Sequence, residues 1–172
     1  MTEISPYLGE GPWVLVSKRS KPLANLPAAV KGSQPTDGGN LIVEAATHEE
    51  VAADPAAAKY LRRYVGAREL IHDTPRWCLW LEDLDPADLA HSRVLRERLE
   101  AVRLFRSDST KQATRDLAAS PHLFTERRAP RTDYLCIPRH VSETRAFFTA
   151  ARFGPEVISG DANFVVVDPD GV

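Results

Sequence analysis

Arg139, His140, Ser142, Glu143 and Arg145 stand within seven positions, directly after the apolar run Tyr134-Leu-Cys-Ile-Pro138. Their donors and acceptors suit the edges of nucleic-acid bases. An arginine fork fits guanine, glutamate accepts from the cytosine amine, and serine serves either. The run before them reads as a short buried strand that Pro138 ends, so a rigid element would present a burst of polar groups. A second group lies in Arg106-Ser107-Asp108-Ser109-Thr110-Lys111, a polar link between two basic helical stretches. Hydroxyls and helix amino termini hold phosphates, and Ser or Asp can reach base edges. Taken alone, the first segment also fits an ordinary strand exit, and Ser109 or Thr110 also fits a simple helix cap.

Phosphate contacts need basic side chains, and the candidates are Arg96, Arg103, Arg115, Arg127, Arg128 and Arg131. A net charge of −2 at first argues against a polyanionic partner. The distribution argues the other way. Residues 93–131 hold ten basic and five acidic side chains, leaving the remainder acidic. One-sided charge of this kind can meet a phosphate backbone. The competing reading is a solvated helix face with internal pairs, for which Arg93 with Glu97 and Arg96 with Glu100 have i,i+4 spacing.

Four blocks, in order, carry a family resemblance: Pro35-Thr-Asp-Gly-Gly-Asn-Leu41, Pro75-Arg-Trp-Cys-Leu-Trp-Leu81, Arg93-Val-Leu-Arg-Glu-Arg98 with Val102-Arg103 and Phe105-Arg106, and Tyr134-Leu-Cys-Ile-Pro-Arg139. Together they resemble the target recognition domain of MmeI-like DNA methyltransferases, the fused restriction and modification enzymes with relatives in phage defence. The likeness runs from about Tyr7 to Asp168. It implies double-stranded DNA as partner and a methyltransferase domain in cis. That upstream domain would bind S-adenosylmethionine and methylate the adenine amino group. It also implies that base-reading positions cluster at Arg106–Lys111 and Arg139–Arg145.

This chain holds only the recognition part of that pattern. No two prolines are adjacent, so the Asp/Asn-Pro-Pro-aromatic motif of an amino-methyltransferase is missing. The pair Gly38-Gly39 sits in a turn sequence, without the phosphate-binding helix of a cofactor loop. No cofactor is expected in the chain itself. His48, His72, His91, His122 and His140 lack metal-ligand spacing, and no serine or cysteine lies in a nucleophile elbow. His72-Asp73 would face opposite sides of a strand. Asp83, Asp85 and Asp88 beside Pro86 read as helix capping rather than a metal cluster. A non-catalytic protein-interaction module, docking through the acidic amino-terminal half, is the principal rival.

The elements that must position these groups follow from pattern. A strand is expected at Trp13–Val16, with Lys18, Arg19 and Lys21 at its exit into a long proline-marked loop. Thr47 with Glu50 marks a capped helix, and Pro55 opens a second over Ala56–Val65. Arg76–Leu81 reads as a central strand. A long helix spans Ser92–Phe105, with Leu95, Leu99 and Val102 facing the core, and a second runs from Lys111 to Ala119. Phe147 and Phe148 read as a strand start or core contact, Val157, Ile158 and Phe164–Val167 as the last strands, and Asp168–Gly171 as a turn.

This order predicts an α+β fold, mixed β-sheets with a central group of helices. One domain is expected over residues 1–172, excised from a larger methyltransferase. Cys78 and Cys136, each in an apolar run, read as buried reduced thiols. With no membrane-length apolar run and no signal-peptide pattern, a cytoplasmic location is expected.

Overall fold

The computed structural model describes residues 10–11, 14–15, 17–18 and 26–167. Trp13, Val16, Arg19 and Lys21, on which the expected opening strand and its exit depend, lie outside the described residues. So does the expected turn at 168–171.

Among the described residues, two four-stranded sheets form the frame. The first comprises β2 (Ile42–Val43), β4 (Trp77–Leu79), β3 (Leu61–Val65) and β7 (Val157–Ser159), in that spatial order. Its pairings are antiparallel except β3 with β7, which is parallel. The second comprises β1 (Val30–Lys31), β8 (Asn163–Val167), β5 (Tyr134–Pro138) and β6 (Ala151–Phe153), antiparallel throughout. Trp77–Leu79 occupies an interior position, as its apolar run requires. In β5 the alternation places Tyr134, Cys136 and Pro138 inward and Leu135 outward. Pro138 faces Asn163 of β8 but lies beyond the reach of β6, so its missing N–H interrupts nothing on that edge.

The helices are α1 (Ala45–Ala53), α2 (Ala67–His72), α3 (Pro86–His91), α4 (Arg93–Ser107) and α5 (Gln112–Asp116). α4 is held at its start by Ser92, whose hydroxyl accepts from the Leu95 amide at 3.0 Å and donates to Asp54 at 2.7 Å. Its inner face, Leu95, Leu99 and Val102, joins Leu41, Val43, Leu79, Leu81 and Phe124 in the larger core. A smaller core gathers Val65, Tyr134, Cys136, Val157 and Val165. Burial drives the Cys136 thiol up in pKa, a hydrogen bond with Ser159 opposing it. Both cysteines are buried and free.

The sheets meet where β7 turns into β8. The Tyr134 hydroxyl donates to the Val157 carbonyl at 2.7 Å, and the Asn163 amide side chain donates to Val65 at 2.8 Å. Gly160 donates its N–H to Val65 at 2.9 Å, and a Cβ there would lie on the Tyr64 hydroxyl.

Local expectations are revised in four places. Residues 56–65 are not one helix: Ala57–Tyr60 makes a single 3-10 turn, and Leu61–Val65 becomes β3. Pairing with β4 and β7, both remote in sequence, overrides the helical preference of the alanine-rich start. α1 begins after Glu44 instead of Thr47, whose hydroxyl donates to the Glu44 carbonyl. His72 closes α2 and Asp73 caps it at φ 50°, so the pair is not in a strand. Phe147 and Phe148 are neither strand nor core. They are exposed, and β6 begins at Ala151. Asp85 caps α3 from in front of Pro86, accepting from Ala87 at 2.8 Å, while Asp88 accepts from Lys59 and Tyr60.

Candidate nucleic-acid interface

Strands β5 and β6 form a hairpin whose closing pair is Cys136 with Ala151, and the polar segment after Pro138 is its loop. Arg139, His140, Ser142, Glu143 and Arg145 are all exposed. The base of the loop is fixed by sheet geometry: the Arg139 amide donates to Ala162 at 3.0 Å, continuing the β5–β8 ladder. The Arg139 guanidinium donates one N–H to the Asp161 carbonyl at 3.0 Å and lies 5.8 Å from the Phe164 ring centre. Stacked and held by one bond, it keeps other donors turned to solvent, a posture suited to a forked acceptor. Further out, the Arg145 amide donates to the Ser142 carbonyl, and the Ser142 and Thr144 hydroxyls share a 2.7 Å hydrogen bond.

The second expected group divides. Ser107, Asp108, Thr110 and Lys111 are exposed and Ser109 is half-buried on the link from α4 to α5. Ser109 accepts from the Lys111 amide at 3.2 Å, and Lys111 itself stands at the cap position of α5. Arg106 does not belong to this surface. Its side chain is wholly buried, extending the inner stripe of α4 by one turn, and its five N–H donors all meet backbone carbonyls. Pro35, Thr36, Leu117, Ser120 and Leu123 supply them, at 2.7 to 3.1 Å. Burial lowers the guanidinium pKa and the nearby Asp37 charge opposes that shift. Arg106 is a tie between three chain segments, with no donor left for a base.

Most of the expected phosphate-binding arginines are engaged within the protein. Arg96 donates to the Leu89 and Ala90 carbonyls at the end of α3 instead of pairing with Glu100. Glu100 takes the fork of Arg103 at 2.6 and 2.8 Å, which holds the Glu100 carboxyl below its ordinary range. Arg93 does pair with Glu97, at 3.4 Å. Arg115 donates to the Ser109 carbonyl and to Gln112. Arg127 pairs with Glu82 at 3.1 Å and Arg128 with Glu126 at 2.9 Å. Arg131 is exposed. No hydrogen bond among the described residues joins the 107–111 link, between α4 and α5, to the 139–145 loop, between β5 and β6.

Asp37 was not singled out by the sequence, yet it organises the turn beside Arg106. Its carboxylate accepts from the amides of Gly39, Leu41 and Ile42, and Gly38 and Gly39 take φ values of 64° and 85°. Its signal was the Thr-Asp-Gly-Gly turn itself.

Residues 10–172 match the family model of the MmeI target recognition domain. The chain belongs to that family. A solved structure of the type IIL restriction-modification enzyme MmeI in complex with DNA superposes with a TM-score of 0.85 at 35% identity, over 97% of this chain and 22% of the enzyme. DNA methyltransferase A of Bacillus subtilis (strain 168) is 28% identical over 171 residues, 99% of this chain and 20% of that protein. The MmeI-type domain therefore spans about a fifth of the length of these relatives. Among the described residues no helix is long and apolar enough to cross a membrane.

Proposed function

We propose that this chain selects the DNA sequence for a methyltransferase carried on the same polypeptide, as one domain over residues 1–172. The observation that carries the reading is the likeness, along nearly its whole length, to one fifth of an enzyme solved in complex with DNA. S-adenosylmethionine then belongs to the remaining part of the polypeptide, where it supplies the methyl group for an adenine amine. The setting is restriction-modification or phage defence in the cytoplasm. In this reading the β5–β6 loop meets base edges through Arg139, His140, Ser142, Glu143 and Arg145. The link from Ser107 to Lys111 approaches the duplex as a second element, and Arg131 contacts phosphate, along with any of Arg96, Arg103, Arg115, Arg127 and Arg128 that exchange their internal partners.

Base-resolved methylation mapping in cells expressing the parent protein tests it. Arg139→Ala or Arg145→Ala should relax the methylated motif at one base pair, a discrimination of about 1–3 kcal/mol. Arg131→Ala or Lys111→Ala should lower methylation of every site without altering the motif. Equal losses at cognate and scrambled sites for all four variants would sink this division of labour.

A further inference from the structure

Phe147 and Phe148 are 87% and 67% exposed, adjacent in the chain, on the return limb of the same β5–β6 loop that carries Arg139 and Arg145. Val141, 43% exposed, lies on the outgoing limb. Neither phenylalanine belongs to either core. Leaving two such side chains in water forfeits the stabilisation of burying them, so a partner surface is expected to cover them. Within the loop the Arg145 guanidinium donates to the Thr149 hydroxyl at 3.2 Å, a bond that spans Phe147 and Phe148 in sequence, and the Ser142 hydroxyl is hydrogen-bonded to Thr144.

The charge around the pair selects the partner. Arg139 and Arg145 share the loop with a single carboxylate, Glu143, so an aromatic tip is set beside two guanidinium cations. An apolar protein surface would have to desolvate those cations, whereas a duplex offers phosphates to them and base faces to the rings. We propose that the Phe147–Phe148 tip is a wedge that enters a base step of the bound duplex and stacks there, opening the step next to the pairs that the loop reads. This rests on the hairpin being a DNA-reading element, as proposed above. It makes the wedge a determinant of specificity without hydrogen bonds, since flexible pyrimidine–purine steps open at least cost.

The test uses the parent protein and duplexes carrying the mapped methylation site, with 2-aminopurine placed in turn at each step. The wild type should brighten the probe at one step distinct from that of the methylated adenine. Phe147→Ala with Phe148→Ala should abolish that signal alone, weaken binding roughly tenfold or more, and leave the salt dependence unchanged. The double tryptophan replacement should restore the signal. Unchanged fluorescence with affinity within about twofold would overturn the wedge. So would a fall in the thermal stability of the DNA-free parent protein, which would mean that the pair packs against another part of that protein. If Arg139→Ala alters the methylated motif while the phenylalanine variants are silent, only the wedge fails. If Arg139→Ala is silent too, the DNA-reading assignment of the hairpin fails with it.

Discussion

A guanidinium inside the face of a helix is tolerable only when each donor is met, and Arg106 satisfies that condition with five carbonyls from residues 35–36 and 117–123. Lysine has three donors and no planar fork, so Arg106→Lys should fail to replace it. We predict that Arg106→Ala and Arg106→Lys each lower unfolding free energy by about 3 kcal/mol or more, read from urea midpoints. Normal stability with an altered methylated motif would instead return Arg106 to the reading surface. Arg139 shows the opposite disposition, one bond to Asp161 and a ring beneath it, with its remaining donors in solvent. The sequence presents both as arginines after apolar runs. What separates them is whether the helical stripe continues one turn further, and Leu95, Leu99, Val102 and Arg106 keep that spacing.

At the scale of elements, α4 depends on a contact far away in sequence. Ser92 caps it while donating to Asp54, and the same carboxylate accepts from the Ala56 and Ala57 amides at 3.0 Å, fixing the turn into β3. Burial pushes the Asp54 pKa up, but the hydrogen bonds from Ser92 and the backbone outweigh it and the net shift is downward. A carboxyl depressed in the folded state contributes stability that is complete above its unfolded value near 3.9, and that contribution is lost as pH falls through the lower folded value. We expect Asp54→Asn to be destabilised at neutral pH, with the gap from wild type closing below about pH 4 in acid-denaturation curves. A gap independent of pH would contradict the assignment. Ser92→Ala should cost about 1 kcal/mol and couple to Asp54→Asn in a double-mutant cycle.

These elements also mark what was legible. α4 and β5 were read closely because a helical stripe and an apolar run bounded by proline are local signals. β3 was not, since Leu-Arg-Arg-Tyr-Val has no decisive local period and is a strand only because β4 and β7 flank it. The hairpin loop is legible as a candidate surface, but Phe147 and Phe148 read as a strand start or core contact because exposed aromatics are the rarer case, and nothing local distinguishes an exposed pair. The internal pairing of Arg96, Arg103, Arg127 and Arg128 was legible only in part, because most of those partners are carbonyls or acids outside helical spacing.

Over the whole molecule, that pairing decides how the chain should respond to salt. If all six phosphate candidates contacted DNA, the slope of log K against log salt would be about −5 from this chain. Five of them already hold protein groups at 3.2 Å or less. For Arg103, Arg127 and Arg128, releasing an internal carboxylate to take up a phosphate substitutes one anion for another and gains little, while Arg96 and Arg115 would each give up two hydrogen-bonded partners. We therefore predict a contribution nearer −2, chiefly from Arg131 and Lys111, measured as the difference between the parent protein and its Arg131→Ala, Lys111→Ala variant. Glu100→Gln supplies the converse case. Without the carboxylate the Arg103 fork no longer has its anionic partner on the exposed face of α4, so affinity should rise and the slope should steepen by about 1 if that face lies along the duplex. An unchanged slope would turn α4 away from the DNA and leave the β5–β6 hairpin to make the contact with a far smaller electrostatic share.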